Sequence, residues 1–265
     1  MLSDESSAAG GREAAGREGW LAHVGRLMPS DRTKIEWASA TWNPVTGCSK
    51  VSPGCAHCYA ETLSRRFGWS EHPWTPTNAQ TNVVLHPERL DQPLRWRRPR
   101  TVFVNSMSDL FHELVPLDFI GQVFAVMQEA EQHVFQILTK RHERLAELAP
   151  ELPWPENVWM GVSIENGRWV ERAEYLREVP AAVRFISAEP LLGPLDGLDL
   201  SSIQWLIAGG ESGHQHRPVK PEWLRALRDR CQAEGIAFFF KQWGGRTPKA
   251  GGRLLDGLEW SEMPA

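Results

Sequence analysis

Six short apolar runs punctuate the chain: TVFVNS (101–106), HVFQILT (133–139), VWMGVSI (158–164), VRFISA (183–188), IQWLIAGG (203–210) and IAFFFKQW (236–243). Most are nearly continuous in apolar residues, the pattern of strands covered on both faces. Between them lie stretches of helical character: LDFIGQVFAVMQEAE (117–131), RHERLAELA (141–149), GRWVERAEYLREV (167–179) and KPEWLRALRDRCQAEG (220–235). The last places Trp223, Leu224, Leu227 and Cys231 at helical spacing, and Gly235 supplies a stop. Strand–helix alternation predicts a parallel sheet. With one more strand near ASATWNPVTG (38–47), the expected fold class is α/β, a partial or complete parallel (β/α) barrel of the TIM type. A doubly wound open sheet is the alternative.

The ends of these strands share a character. They carry Asn105, Ser106, Ser108 and Asp109; then Thr139, Lys140 and Arg141; then Ser163, Glu165 and Asn166. The later ones carry Ser187 and Glu189; Gly209, Gly210, Glu211 and Ser212; Lys241 and Gln242. A single polar strand end is only a loop beginning. Six in succession mark the face onto which parallel barrel strands open, where active sites form.

At 265 residues, 42% hydrophobic and 23% charged, the chain has the composition of a globular protein. No apolar run is long enough to span a bilayer, so no membrane association is expected. Residues 1–27 read as a disordered extension without a basic-then-apolar secretory pattern, which predicts a cytoplasmic protein. Residues 28–248 read as the barrel and 249–265 as a C-terminal tail. In a reducing compartment, clustered cysteines are metal ligands or catalytic thiols rather than disulfide partners. The net charge of −4 gives no global case for nucleic acid. Local basic stretches stand at RWRRPR (95–100) and TKRHER (139–144), and solvated surface is the plain reading of the first. The 13 tryptophans are expected mostly in the core or a pocket wall.

The segment GCSKVSPGCAHCYAE (47–61) holds three of the four cysteines, Cys48, Cys55 and Cys58, spaced C-x6-C-x2-C after the first strand. Cys231 sits on the apolar face of a predicted helix and reads as core. Three readings compete for the cluster. A structural zinc site needs a fourth ligand, His57 or a distant group, and such sites usually pair two knuckles. Thiol redox chemistry needs only the C-x2-C pair. A 4Fe–4S cluster held by three thiolates leaves one iron open to an exogenous ligand, which accounts for three cysteines and no fourth.

CAHCYAE after the first strand of a parallel barrel resembles the radical S-adenosylmethionine superfamily, whose common pattern is C-x3-C-x2-C with an aromatic before the last cysteine. This chain departs from it with a six-residue first gap and with His57 at the aromatic position. More narrowly, TKIEWASATWNPVTGCSKVSPGCAHCYAE and VFVNSMSDLFHE resemble the phage-type three-Cys-motif protein family of unknown function. That likeness extends through QILTKR, GVSIEN, FISAEPLLGP, IAGGESG and FKQWGG, about residues 30–245. SMSDLFHE and ILTKRHERL also resemble strand ends of the spore photoproduct lyase group.

The resemblance implies a radical enzyme of lyase or transferase type. Cys48, Cys55 and Cys58 would hold the 4Fe–4S cluster, and S-adenosyl-L-methionine would bind its open iron and yield a 5′-deoxyadenosyl radical. Ser106, Ser108 and Asp109 would contact the methionine amino group; the Gly-Gly-Glu that many relatives use there is absent at the second strand. Lys140 would pair with the methionine carboxylate. Ser163, Glu165 and Asn166 would hold the ribose hydroxyls. Glu189 and Glu211 fall to the substrate side with Lys241, as general acid or base, or as buried partners of Lys241 and Arg217. GGESG (209–213) would let a phosphate or adenine approach the backbone. Trp42 and Trp243 would wall the cavity, stack a base or pack in the core. The implied partners are an electron donor, a second protein component and a substrate for which DNA or RNA is the suggested class. Two rivals remain: a zinc- or iron–sulfur-containing nucleic-acid-binding accessory protein of phage origin without catalysis, and a metal-independent barrel hydrolase using Glu165, Glu189 and Glu211.

Overall fold

The computed structural model describes residues 33, 35–247 and 249–264, so the expected N-terminal extension lies outside the described residues. The first strands are β1 (Ala40–Trp42), β2 (Val45–Thr46), β3 (Val84–Leu85), β4 (Thr101–Val104) and β5 (Val134–Thr139). They are followed by β6 (Val158–Ser163), β7 (Val183–Ala188), β8 (Trp205–Gly209), β9 (Ala237–Gln242), β10 (Leu254–Leu255) and β11 (Leu258–Glu259). The helices are α1 (Tyr59–Arg66), α2 (Ala79–Asn82), α3 (Leu117–Glu129), α4 (His142–Leu148), α5 (Arg172–Arg177) and α6 (Pro221–Glu234).

Seven strands form one parallel sheet in the order β1-β4-β5-β6-β7-β8-β9. The order never reverses, which separates this fold from a doubly wound sheet, whose strand order turns back at a switch point. Among the described residues β9 does not pair with β1, so the barrel is partial, a half-barrel.

The period-two alternation of strand side chains sorts the core into two layers. Val102, Val104, Phe135, Ile137, Met160, Val162, Ile186, Leu206, Phe238 and Phe240 face outward. They meet helix residues such as Phe119, Val123, Phe124, Leu145, Leu176, Leu224 and Cys231. The opposite parity, Phe103, Phe185, Trp205, Ile207 and Phe239, packs with Trp37 and takes no helix residue. That is the inner face. Among the described residues the helices lie on one side only, and the sheet curls around this aromatic floor. The strand runs read from the sequence match the observed strands to within one to two residues, because strands buried on both faces advertise themselves by unbroken hydrophobicity.

The inner layer leaves no room at Gly161. A Cβ there would fall 2.5 Å from the Phe185 ring, which is fully buried. Gly161→Ala is therefore expected to lower unfolding free energy by about 1–3 kcal/mol, the usual cost of overpacking a core. A urea titration reads the shift as a lower midpoint at unchanged slope; an unchanged midpoint would show that the ring yields freely.

Two segments differ from the sequence expectation. The helix expected over 167–179 begins as a 3₁₀ turn at Gly167–Trp169, where Asn166 Oδ1 accepts from Arg168 N (3.0 Å), and only then becomes α5. The expected tail is packed structure. Residues 254–259 form the β10–β11 hairpin, Phe240 N donates to Trp260 O (2.9 Å), and Glu262 O accepts from Trp205 Nε1 (3.0 Å). Helix α6 ends as expected, with Gly235 left-handed (φ 70°) and its N–H on Cys231 O. Among the described residues no helix is long and apolar enough to cross a membrane.

Candidate functional site

The three cysteines lie on the segment joining β2 to α1, over the C-terminal mouth of the half-barrel. Gly47 N donates to Met107 O (2.9 Å) just past the end of β4, which fixes where the segment leaves the sheet. Cys48 follows, Cys55 closes a 3₁₀ turn at Pro53–Cys55, and Cys58 caps the N-terminus of α1. All three are free and half-buried.

Two polar brackets hold this segment. The first comes from the motifs SMSDLFHE and LTKR. Arg141 Nη2 lies 3.0 Å from both Ser49 O and Ser49 Oγ and 3.8 Å from Cys48 Sγ, while Nη1 pairs with Glu113. His112 Nδ1 accepts from Leu114 N (3.1 Å), so Nε2 carries the hydrogen and donates to Ser49 Oγ (2.9 Å). Asp109 stands behind Arg141, its Oδ2 3.8 Å from Nε. It also accepts from Thr139 Oγ1 (2.7 Å), Phe111 N (3.0 Å) and Lys140 N (3.2 Å).

The second bracket comes from β6 and β8. Glu165 is fully buried; Oε2 pairs with Arg172 Nη1 (2.9 Å) and Oε1 accepts from Gly54 N (3.1 Å). Arg172 is also fully buried, donates to Ser163 O (2.7 Å) and lies over the Trp169 ring at 4.1 Å. Glu211 is gripped by Arg217 through Nη2 (2.5 Å), Nε (2.9 Å) and the backbone N–H (2.8 Å). Its Oε2 also faces His57 Nδ1 at 3.1 Å, between Cys55 and Cys58. Arg217 Nη2 donates onward to Pro53 O (3.0 Å). Burial alone would push the Glu211 carboxyl up; the donors from Arg217 and His57 bring it below the ordinary range.

The expected ligand-facing residues also make contacts within the protein. Asp109, Glu165 and Glu211 each already accept hydrogen bonds from neighbouring segments. Ser108 Oγ donates to Val45 O (2.8 Å) and Ser106 Oγ to Asn43 Oδ1 (3.2 Å), so both stitch β4 to the β1–β2 segment. Asn166 caps a turn. Gly210 does not open a path for phosphate, because a side chain there would strike Trp243 O at 2.0 Å; the β8 and β9 loops simply touch. Trp42 and Trp243 belong to the outer layer, their indoles donating to Arg89 O and Leu254 O (2.8 Å each). The basic stretches are also engaged. Arg144 holds Glu113 O and Val115 O, Arg95 pairs with Asp91, and Arg100 lies over Trp96 at 4.8 Å.

Four expected residues stand at the mouth. Ser163 is buried on β6. Glu189 and Lys241, 18% and 21% exposed, share a 2.5 Å contact across the β7–β9 rim. Lys140 is half-buried, with its Cε 3.4 Å from where a Gly54 side chain would begin, and among the described residues its ammonium has no carboxylate partner. Arg172, His112 and Ser49 are polar neighbours of the cysteine segment that the sequence reading missed. Only the placement of Arg172 seven residues after Glu165, and of His112 inside SMSDLFHE, hinted at them.

Burial pushes the Cys48 thiol up to about 12, helped by Asp109 and opposed by Arg141. Burial likewise raises Cys58, while N–H groups of Glu61 and Ala60 pull it back. Among the described residues no three His, Cys, Asp or Glu side chains are gathered as a metal-holding group. The donor set nonetheless fits one. Three free thiols share one short segment, Cys55 interacts electrostatically with both others, and N–H donors and a guanidinium stand ready for sulfur charge. Soft thiolates of this number suit an iron–sulfur cluster or zinc.

The family model described as "Protein of unknown function (DUF5131)" matches residues 32–264. That description names neither cysteines nor a phage origin. Among solved structures, the chain is similar to spore photoproduct lyase complexed with the dinucleoside spore photoproduct, at 17% identity and a TM-score of 0.46. The match covers 86% of this chain and 66% of that one. A cysteine-to-serine mutant of the same lyase matches over the same shares at 17% identity and a TM-score of 0.45. The chain thus spans just under two thirds of the length of these lyases. No curated protein matches it.

Proposed function

The chain belongs to the DUF5131 family of proteins of unknown function, and from that premise we propose that it is a radical S-adenosylmethionine enzyme. The observation that carries the reading is the placement of three free thiols on one doubly bracketed segment over the C-terminal mouth of a parallel half-barrel. Cys48, Cys55 and Cys58 would hold a 4Fe–4S cluster. When bound and reduced, the cluster supplies the electron that cleaves S-adenosylmethionine to methionine and a 5′-deoxyadenosyl radical.

The chain's own residues supply the rest. Lys140, a cation without a partner carboxylate beside the cysteine segment, binds the methionine carboxylate. Ser163 offers a hydroxyl to the ribose. The Glu189–Lys241 pair at the rim would exchange a proton with a substrate atom on the sheet side of the cavity. The aromatic floor of Phe103, Phe185, Trp205 and Phe239 closes the mouth from below and keeps water out of it.

The test is anaerobic reconstitution with iron and sulfide, reduction, and addition of S-adenosylmethionine. Methionine and 5′-deoxyadenosine are expected in equal amounts. A fully loaded, reduced protein that forms neither overturns the proposal.

One contact favours a second reading. His57 Nδ1 faces Glu211, as the outer nitrogen of a zinc-bound histidine typically faces a carboxylate. Its Nε2 is then disposed to join three thiolates in a closed zinc site. Metal analysis of the purified protein separates the two.

A further inference from the structure

We propose that the turn ending α1 is a stacking platform for single-stranded nucleic acid. The surface is distinct from the mouth and does not depend on which metal the cysteines take.

Among the described residues, the exposed aromatic side chains are Tyr59 (52%), Phe67 (50%) and Trp69 (37%), all on α1 or its capping turn. Phe67 and Trp69 stack on each other with ring centroids 5.1 Å apart and planes 27° from parallel. The Arg66 guanidinium lies 5.9 Å from the Phe67 centroid and extends the stack. The turn is fixed by its backbone. Phe67 N donates to Leu63 O (3.0 Å), Gly68 N to Arg65 O (3.2 Å) and Trp69 N to Ser64 O (2.8 Å). Gly68 takes the left-handed conformation (φ 68°) that this cap requires. Two large rings are thus held in water without a core to bury them.

Charge selects the occupant. Arg65 and Arg66 are exposed, and among the described residues neither guanidinium has a carboxylate partner. Glu61, on the same helix, is turned inward to Lys50 (2.9 Å) and Trp74 N (2.8 Å). Glu71 is the acid of the following loop. Aromatic rings with arginine also suit a protein partner; what favours nucleic acid is the charge, one guanidinium at the ring face and a second beside it with no acid of α1 facing them, which matches bases with their phosphates. The bases must be unstacked to reach a protruding platform, so the ligand is single-stranded. From Cys58 the platform lies about 12 Å along α1, at roughly 1.5 Å per residue.

The test is fluorescence anisotropy of the full-length protein, with and without reconstituted metal, against a labelled single-stranded oligonucleotide, its RNA counterpart and its duplex. The wild type is expected to prefer the single strands. Phe67→Ala/Trp69→Ala should weaken binding about tenfold or more, the loss of one base stack. Arg65→Ala/Arg66→Ala should weaken it and reduce the slope of log affinity against log salt by about 1.4, two phosphate contacts at ~0.7 each. Circular dichroism checks that the surface variants fold. The proposal is overturned if the wild type binds no oligonucleotide, if it prefers the duplex, or if the aromatic double variant binds as tightly as the wild type. Concentration-dependent self-association abolished by that variant, without oligonucleotide binding, would overturn it in favour of a protein-facing patch.

Discussion

Cys55→Ala, reconstituted anaerobically beside the wild type, is expected to lose the iron and the visible absorption that the wild type takes up, about four irons per chain. Cys55 is the informative choice among the three. Cys48 is tied to Arg141, and Cys58 caps α1, so replacing either also disturbs a bracket or a helix end. Cys55 sits on a 3₁₀ turn with no buried residue, its sulfur 3.9 Å from Ser52 Oγ. Its loss removes a ligand and little packing, so the variant should fold with wild-type circular dichroism. Two thiolates cannot retain a cubane that needs three. His57→Ala completes the experiment: under the cluster reading iron content and spectrum are unchanged, because His57 is not a ligand. Under the zinc reading the purified protein carries one zinc instead, and His57→Ala weakens its retention against a chelator, since the fourth donor is gone. Wild-type iron uptake by Cys55→Ala would remove the cysteine segment from the proposal altogether.

The main sheet was legible because its strands are buried on both faces along most of their length and are therefore largely apolar. The half-barrel order followed from helices falling between consecutive strands, and the absence of a closing β9–β1 pair was invisible to pattern. The polar strand ends were legible in place, and the contacts they make were not. A carboxylate at a strand end reads the same whether it faces a cavity or is consumed by a neighbouring loop. Asp109 and Glu165 were read as facing the cofactor, and Glu189 and Glu211 as facing the substrate or as buried partners of Lys241 or Arg217. In the structure Arg141, Arg172 and Arg217 stand against Asp109, Glu165 and Glu211, and Lys241 against Glu189. Arg172 escaped notice because an arginine in the sequence ERAEYLRE looks like solvent-facing helix. The 3₁₀ turn at Gly167–Trp169 turns it inward, where it is fully buried. The hairpin at 254–259 escaped because its strands are two residues long, too short for any periodicity.

Arg172→Met should destabilise the metal-free protein by about 3–5 kcal/mol, the cost of stranding one partner of a buried ion pair. Glu165 is wholly buried, and without Arg172 its carboxylate would keep only the Gly54 N–H. Glu165→Gln should cost less: a neutral amide can still accept from Gly54, though the Arg172 guanidinium is left without its counter-charge. Among the described residues its Nε and Nη2 have no hydrogen-bond partner, and burial lowers its proton affinity. The double variant Glu165→Gln/Arg172→Met should therefore recover much of the loss of Arg172→Met, because no unpaired charge then remains inside. Urea midpoints for the two singles and the double give the coupling directly. Limited proteolysis within residues 47–58 gives a second readout, because Gly54 loses its anchor whenever Glu165 does. If the double is as unstable as the sum of the singles, the pair does not act as a unit, and the cysteine segment is held over the mouth by the Arg141 and Arg217 contacts alone.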